Sequence, residues 1–479
     1  MKNAIIATIL LIVLVNLSAA QKANVMPITT ASNEARELFM KGLDKFDNVE
    51  LPAAAKYFDQ AIAEDPDFAL AYCYRAVSGG GSQVINKNFE KARSLAGNAS
   101  KGEQLLISYF DAGYRGRTAE MKKDLDELVS MYPGDKRVML YTAYYYYGTE
   151  NYKEAIKYFK KVASIDKNFP PAYNMLGYSY SAVGNFKSAE QSFKEYIRLN
   201  PDMPNPYDSY AELLLKMGRY DESIAQYQKA LDLDETFISG LYGVGNAHLF
   251  KGNSEEARTH YDKALAGSNS IDEKLTAMSY KAWSYLFDDN PDDAVRTFEE
   301  RRSLAEKENQ RTSAFYSAAY AGLIQCELGD PSDGLARLQD ISSKLDNADL
   351  TTAERENLRV NIDSWLAYAY AANDMLDEAG ATADAFAEEI EPRGNPAEKK
   401  TLEMLLGIID YKSGNYDDAV DRLSKLEPDP LIMYHHAMAL NMKGDKEGSR
   451  ALLTKISNWN RNELFLAMVW TNTKSALRK

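Results

Sequence analysis

Four histidines are the side chains of this sequence best suited to binding a metal ion or carrying protons: His248, His260, His435 and His436. His248 falls at an aromatic core position of a helical pattern, and His260 precedes Tyr261 on another. The adjacent pair His435-His436 cannot point the same way on a helix, because two ligands there need a spacing of three or four residues. No His-Glu-x-x-His motif and no cluster of Cys and His occurs. We therefore expect no metal site.

Glycine-rich stretches could hold a phosphate, but neither of the two in this chain has the required context. "SGGGS" at 78–82 lacks the following Gly-Lys-Ser/Thr and follows a helical pattern, so we interpret it as a loop between helices. "GLYGVG" at 240–245 fits a helix with small residues for close packing. No Gly-x-Ser-x-Gly motif or catalytic Cys/His arrangement is found. We expect neither an enzyme nor a bound cofactor.

The tyrosines are the remaining candidates for recognition, and there are 32 of them. The stretch "YTAYYYYGTENYKEAIKYF" at 141–159 holds four in a row. They are either packing residues of a core or an aromatic binding surface. The choice depends on which helices carry them and how those helices repeat.

A repeat of 34 residues organises the middle of the chain. A small residue recurs at that step at Ala155, Ala189, Ser223 and Ala257, and an aromatic residue recurs at Phe159, Phe193, Tyr227 and Tyr261. Glycine falls at Gly184, Gly218 and Gly252, between two helical patterns. A fixed period of this length predicts a solenoid in which each unit is a pair of helices with a turn at the glycine.

From about Val138 to Leu265 the sequence resembles the tetratricopeptide-repeat family. The family's pattern of aromatic, Leu-Gly, Tyr, Gly, Ala, Phe and Pro is matched at Tyr173, Leu176, Gly177, Tyr180, Gly184, Ala189, Phe193 and Pro201. The resemblance is weaker after Ala266, where Ala294 lies 37 residues beyond Ala257. It implies an all-α, right-handed α-solenoid of about eleven to twelve helix hairpins with a C-terminal capping helix.

The organisation along the chain follows from the pattern. We predict a signal peptide at 1–20 and a linker at 21–33, then N-terminal repeats with a looped insertion at 34–136. The regular array occupies 137–270, degenerate helical repeats occupy 271–461, and the capping helix is 462–479. An end repeat needs such a cover because its stacking face has no neighbour.

The N-terminus and the charge predict where the protein acts. The apolar run Ala4–Leu17 and the small residues Ser18 and Ala20 are typical of a cleavable signal, although an uncleaved anchor helix is the alternative. No cysteine follows the cleavage site and no later segment is apolar enough to span a membrane, so we expect a secreted or periplasmic protein. A net charge of −14 disfavours nucleic acid as a partner. Cys73 and Cys326 are expected to be buried free thiols.

The resemblance implies a concave groove, lined by the first helix of each repeat, that binds peptides or proteins. Here its wall is predicted to be Tyr141, Tyr144, Tyr147, Asn174, Tyr178, Asp208, Glu212, Tyr242 and Asn246. The family's carboxylate clamp for chaperone tails is absent, since Phe39 and Leu43 occupy clamp positions in the first readable repeat. We therefore predict a non-enzymatic protein-interaction scaffold of the cell envelope. The alternative is a module that binds a non-protein ligand such as an oligosaccharide in the tyrosine-lined groove.

Overall fold

The structure, a computed structural model, describes residues 25–426 and 428–478. Within these ranges the chain forms twenty-five α-helices and two short 3₁₀ helices, and none of these residues is in a β-strand. The predicted all-α fold is confirmed. The signal peptide predicted at 1–20 lies outside the described residues, as do the first four residues of the predicted linker.

The chain divides into two compact units, one ending at Pro201 and the other beginning at Asp202. The helices of the first unit are α1 (Asn33–Asp47), α2 (Leu51–Glu64), α3 (Ala69–Val77), α4 (Ser82–Leu95), α5 (Lys101–Tyr114), α6 (Thr118–Met131), α7 (Lys136–Gly148), α8 (Tyr152–Ile165), α9 (Pro170–Ala182) and α10 (Phe186–Leu199). The predicted regular array at 137–270 therefore extends across the boundary between the two units.

The second unit contains fifteen helices in its described residues. They are α11 (Pro204–Lys216), α12 (Tyr220–Leu233), α13 (Ile238–Phe250), α14 (Ser254–Gly267), α15 (Ile271–Phe287), α16 (Pro291–Lys307), α17 (Arg311–Leu328), α18 (Pro331–Leu345), α19 (Thr352–Ala372), α20 (Leu376–Ile390), α21 (Pro396–Lys412), α22 (Tyr416–Ser424), α23 (Pro430–Met442), α24 (Lys446–Ser457) and α25 (Leu464–Arg478).

Each odd-numbered helix from α1 to α23 packs against the helix that follows it, which makes twelve hairpins in the described residues. We call the odd-numbered member the first helix of its hairpin. Five hairpins belong to the first unit and seven to the second. The predicted number of eleven to twelve is confirmed, and α25 follows the last hairpin.

The small residues of the repeat lie where the two helices of a hairpin touch. Ala155 and Ala189 are fully buried on α8 and α10, and the aromatic residues four positions later, Phe159 and Phe193, are also in the core. A Cβ atom added at Gly177 would lie 2.6 Å from the Phe193 ring. Small residues are therefore required at these positions because the helices approach too closely for larger ones.

The turn glycines have the conformation that the sequence pattern predicted. Gly184, Gly218 and Gly252 have φ angles of +73°, +72° and +87°, in the left-handed region that L-residues avoid. After α14 the period is lost because the helices lengthen. The helices α7 to α14 have 13 or 14 residues, whereas α15 has 17, α17 has 18 and α19 has 21.

The C-terminal helix α25 packs against α23 and α24 and so covers the last hairpin. It also packs against α15 and α17, the first helices of earlier hairpins in the same unit. Within the ranges 25–426 and 428–478, no helix combines the length and apolar character needed to cross a bilayer. Cys73 and Cys326 are free and buried, as predicted.

Candidate functional site

The four consecutive tyrosines Tyr144–Tyr147 are all half-buried on α7. The Tyr144 ring meets the Phe159 ring edge-on, with centroids 5.6 Å apart. Tyr178, 34 residues later, meets Phe193 in the same way at 5.1 Å. The predicted equivalence of Tyr144 and Tyr178 is therefore confirmed. Each ring has one edge against the core, and each residue as a whole is half-buried.

Tyr141 is a core residue rather than part of a groove wall, which corrects the sequence-based assignment. Its side chain is only 3% exposed. Its hydroxyl group pairs with the hydroxyl group of Tyr74, and its ring lies 5.0 Å from that of Phe110. With Tyr109 these rings form what we call the aromatic cluster of the first unit: Tyr74, Tyr109, Phe110 and Tyr141. It fills the space between first helices α3, α5 and α7.

A buried ion pair lies close to this cluster. The Arg137 guanidinium group donates two hydrogen bonds to Asp47, of 3.0 and 2.7 Å. Both side chains are largely buried, at 19% and 12% exposed. The pair joins the end of α1 to the start of α7. The first helices at 33–148 are thus tied together by aromatic and ionic contacts of the unit itself.

The remaining predicted wall of the first unit is Tyr144, Tyr147, Asn174 and Tyr178, on α7 and α9, which we call the α7–α9 surface. All four residues are half-buried. The side-chain amide oxygen of Asn174 is buried and has no hydrogen-bond partner in the described part of the chain. A buried amide oxygen without a donor costs roughly 1–3 kcal/mol relative to one that is paired.

In the second unit, the predicted wall residues on α11 differ in exposure. Glu212 is exposed, but Asp208 is only 8% exposed, so its assignment to an accessible wall is corrected. Burial and the nearby charge of Glu212 raise the pKa of Asp208 well above its ordinary range. The two residues are one turn apart on the same helix, which brings both carboxyl groups to one side of it.

Tyr242 and Asn246 on α13 already have partners from their own chain. Tyr242 is buried, and its hydroxyl group donates to the backbone carbonyl oxygen of Glu273 at 2.7 Å. The Asn246 side-chain oxygen accepts from the Tyr261 hydroxyl group at 2.7 Å and from the Asn462 amide at 3.2 Å. The accessible role predicted for Tyr242 is therefore corrected, and Asn246 holds the segment that leads into α25.

The C-terminal segment contacts α12 and the first helices α13 and α15 of the second unit. The Tyr220 hydroxyl group donates to the Asn460 side-chain oxygen at 2.8 Å, and the Thr471 hydroxyl group donates to the Leu286 carbonyl oxygen at 3.4 Å. Leu466, Met468 and Val469 of α25 are fully buried. The Trp470 ring lies 4.9 Å from that of Phe287. This part of the second unit is occupied by its own C-terminus.

Beside α25, four first helices line a partly open cavity of about 220 Å³. It is lined by Cys326 and Glu327 of α17, Tyr368 and Ala372 of α19, Ile408, Tyr411 and Lys412 of α21, and Tyr434, His435 and Met438 of α23. The Tyr368 hydroxyl group donates to Glu327 at 2.5 Å, and the Asn472 amide of α25 donates to the same carboxyl group at 3.5 Å. Burial raises the pKa of Glu327.

His435 lines this cavity with unused hydrogen-bonding capacity. Both of its ring nitrogens are buried and have no partner in the described part of the chain. Burial, with a smaller effect of the Lys412 charge, lowers the pKa of His435 to about 3. The ring is therefore neutral near pH 7 and has one donor and one acceptor to offer. A larger cavity in the first unit, about 320 Å³, is mostly apolar and has few groups to orient a ligand.

The structure also brings His248, Glu256 and His260 together, although no metal site was predicted from the sequence. Each residue offers one ligand atom, and these atoms lie within 4.8 Å of one another. The two imidazole rings are nearly parallel, with centroids 5.5 Å apart. Burial and the neighbouring Lys263 and His248 lower the pKa of His260.

Two signals in the sequence could have revealed this cluster. Glu256 and His260 are spaced by four residues on one helix, which places them on the same side. His248 lies just before the Gly252 turn of the same hairpin, so the two helices must bring it back alongside α14. The spacing within a single helix does not reveal the whole cluster, because His248 belongs to α13 and the other two residues belong to α14.

Three family models match the chain in its middle part. Residues 111–172 and 170–203 match models described as "Tetratricopeptide repeat", and residues 211–252 match one described as "TPR repeat". No curated protein matches the sequence. The matched ranges include α7, α9 and α13, which carry most of the predicted wall residues.

Solved structures of repeat proteins are similar over parts of the chain. MamA is 21% identical, and the match covers 35% of this chain and 91% of MamA with a TM-score of 0.30. A tetratricopeptide repeat protein from Parabacteroides merdae is 18% identical, with coverage of 60% and 97% and a TM-score of 0.37. YrrB, described as a TPR protein with an unusual peptide-binding site, is 16% identical, with coverage of 38% and 91% and a TM-score of 0.26.

Proposed function

This chain is a tetratricopeptide-repeat protein, and on that premise we propose that it is a non-enzymatic interaction scaffold that binds an extended or helical peptide segment on the α7–α9 surface. Tetratricopeptide repeats are protein-interaction modules, and solenoids of this kind present long surfaces to partners. The proposed site is smaller than the wall predicted from the sequence. It contains only the predicted wall residues of the first unit that are not in the core, namely Tyr144, Tyr147, Asn174 and Tyr178.

The observation that carries the proposal is the buried side-chain amide oxygen of Asn174, which has no donor in the described part of the chain. A partner that turns this amide outward and donates a backbone N–H or an amide to its oxygen removes an existing cost and so gains affinity. The half-buried tyrosines of the same surface supply aromatic contact area with a hydrogen-bonding tip. A peptide segment has backbone N–H groups that can donate to this oxygen, and its side chains can pack against the tyrosines.

The test is selection from a displayed library of random peptides on the full chain. Peptides that bind the wild-type protein are then measured against a variant that carries both Tyr147→Ala and Asn174→Ala. We expect at least tenfold weaker binding, which corresponds to about 1.4 kcal/mol. Circular dichroism should stay unchanged, because Asn174 loses no internal hydrogen bond through its side-chain oxygen.

The matched control is Tyr158→Ala on α8. Tyr158 is also half-buried, and its ring stacks on Tyr146 at 5.5 Å, but it lies on the second helix of the hairpin. Its removal should leave peptide affinity within about twofold. Equal loss in the control and the double variant, or no selection of peptides at all, would retire the α7–α9 surface as a binding site.

A second candidate function is binding of a small polar molecule in the cavity beside α25. The specific observation is His435, a neutral and fully buried ring with no partner, in a cavity that also contains Glu327 and Lys412. A volume of about 220 Å³ lies below the roughly 300–1,000 Å³ of pockets for drug-sized ligands, which excludes an oligosaccharide and leaves room for a single sugar or an amino acid.

Tryptophan fluorescence melting with a panel of monosaccharides and amino acids tests this second candidate. A ligand that raises the melting temperature of the wild-type protein should have no effect on His435→Leu, which loses both hydrogen-bonding groups. A panel without any stabilising compound would count against the cavity as a ligand site. The α7–α9 surface is unaffected by that outcome, because it belongs to the other unit.

We also propose that the protein is exported, with cleavage before Gln21. The support is the apolar run Ala4–Leu17 followed by small residues at Ser18 and Ala20. N-terminal sequencing of the protein from its native cells should begin at Gln21. An intact Met1 on protein from the cytosol would contradict this.

A further inference from the structure

His248, Glu256 and His260 form the one group of three or more metal-binding side chains within the described ranges. Neither the peptide-binding proposal nor the small-molecule cavity uses them. His248 lies on α13, two residues before its end, while Glu256 and His260 are one turn apart on α14. The backbone N–H of Asn253 donates to the His248 carbonyl oxygen at 2.9 Å and fixes the turn between the helices.

We propose that these three side chains bind a divalent transition-metal ion of the zinc class at the end of the α13–α14 hairpin. Two imidazole nitrogens and one carboxylate oxygen are a known type of Zn²⁺ ligand set, and they leave a further coordination position for water or another ligand. Imidazole ligands favour Zn²⁺, Cu²⁺ and Ni²⁺ over Ca²⁺ and Mg²⁺, which prefer oxygen.

The distances permit binding with side-chain movement alone. The three ligand atoms lie within 4.8 Å of one another, and the His260 Nε2 atom is 3.6 Å from the nearer Glu256 oxygen. Tetrahedral Zn²⁺ with bonds of about 2.0–2.1 Å requires ligand atoms about 3.3 Å apart. The carboxylate can close that gap because the Glu256 side chain is 53% exposed. The imidazoles are held on two packed helices, so the backbone need not move.

The side-chain surroundings also favour a metal. Both Nδ1 atoms are buried without a hydrogen-bond partner on the described chain, so no hydrogen bond holds either ring in a tautomer that excludes a metal at Nε2. The two rings lie parallel, which keeps them side by side at the surface of the hairpin. His260 is 16% exposed, and solvent can therefore reach the cluster from the Glu256 side.

Isothermal titration of the full chain, stripped with a chelator, with ZnCl₂ tests the proposal. We expect one Zn²⁺ per chain, and at least tenfold weaker binding in His248→Gln and in His260→Gln. Glu256→Gln should weaken binding too, and it provides a variant whose exposed position leaves the fold intact. Ca²⁺ in excess should not displace Zn²⁺, and Co²⁺ bound in its place should show the visible ligand-field absorption of a low-coordinate site.

His436→Gln is the matched control, since His436 is half-buried on α23 and outside the cluster. It should bind Zn²⁺ like the wild-type protein. The chain carries 70 acidic residues, which can hold divalent ions loosely. Binding that is equal in the wild type and all three cluster variants would show an adventitious ion only. That result, or no binding by the wild-type protein, would overturn the proposal.

Discussion

The two units of this protein fill the space beside their first helices in different ways. In the first unit the filling comes from side chains of those helices themselves, the aromatic cluster Tyr74, Tyr109, Phe110 and Tyr141. In the second unit it comes from a separate helix, α25, whose residues Leu466, Met468 and Val469 are fully buried. One unit uses large residues within its repeats, and the other uses a segment added after them.

The difference shows that membership of a repeat family does not decide whether a groove is available. The repeat pattern explains the pairing of helices within each hairpin. The space beside the first helices lies between neighbouring hairpins, and either large side chains of the repeats or a separate helix can fill it. The α7–α9 surface is what the aromatic cluster leaves uncovered in the first unit. The cavity around His435 is what α25 leaves unfilled in the second.

The largest expected effect comes from ending the chain after Ser457. Truncation removes five buried apolar residues of α25; the four large ones are each worth about 1.5–3 kcal/mol, which together approaches the whole stability of a typical domain. These residues are Leu464, Leu466, Ala467, Met468 and Val469. We expect the second unit to lose its cooperative unfolding transition, measured by calorimetry, while that of the first unit remains.

The tryptophans make the two units separable in such experiments. All four, Trp283, Trp365, Trp459 and Trp470, belong to the second unit. Tryptophan emission therefore reports that unit alone, and two of the four remain after truncation. A truncated protein with unchanged emission from Trp283 and Trp365 and an unchanged second transition would show that α25 is an accessory to the unit rather than part of its core.

The next largest effect is expected in the first unit, from Asp47→Ala. The substitution leaves the largely buried Arg137 without its partner, and breaking a buried pair from one side costs about 3–5 kcal/mol. The transition of the first unit should move to lower denaturant concentration. The transition reported by tryptophan emission should be unaffected. A shift of that transition by a similar amount would show that the ion pair of the first unit also stabilises the second unit.

A smaller effect is expected from acid on the second unit. Burial holds the pKa of His435 at about 3, below the roughly 6.5 of an unfolded histidine. The unfolded chain therefore binds a proton that the folded one does not, and stability falls as the pH drops from about 6.5 towards 3. The loss for this group is at most about 1.4 kcal/mol per pH unit.

The comparison is between the wild type and His435→Leu, by denaturant titration followed through tryptophan emission. The other ionisable groups facing the ring are Glu327, Lys412 and the tyrosines of the cavity wall. They are present in both proteins, so the difference isolates His435. The variant should lose less stability than the wild type over this pH range, and parallel curves would mean that His435 is protonated in the folded protein.

The smallest expected effect is that of Tyr220→Phe. The change removes the hydrogen bond to Asn460 but keeps the ring, which costs about 1 kcal/mol. The midpoint of the tryptophan transition should fall slightly. A loss comparable with that of Asp47→Ala would mean that the segment before α25, rather than its buried apolar residues, holds the helix in place.

The hairpins were predictable from the sequence because their determinants are local. Ala189, Phe193 and Gly184 act within one repeat, and each occupies the position that the 34-residue period predicts. Which of the predicted groove residues are buried could not be predicted from positions within one repeat. Tyr141 is buried because Tyr74, 67 residues away, meets it, and the register within one repeat contains no information about that contact.

The candidate sites show the same limit. The register placed Tyr144 and Tyr178 correctly relative to their repeats. It could not show that Asn462 reaches Asn246 across 216 residues of sequence, or that Asn472 of α25 reaches Glu327. The histidine cluster is intermediate between contacts within one helix and contacts across many repeats. It depends only on the pairing of α13 with α14, which the repeat itself implies.

The helix α25 follows every hairpin that it packs against, and this order along the chain has a consequence for how the protein is made. Repeat hairpins can fold in sequence as they leave the ribosome, because each needs only its neighbours. Asn460, just before α25, contacts a residue 240 positions earlier, and Thr471 of α25 contacts one 185 positions earlier, so the second unit cannot complete its core until α25 has been synthesised. Until then the apolar faces of α15 and α17 that α25 covers stay exposed to solvent. At this stage the nascent protein is most prone to aggregate and to be bound by chaperones.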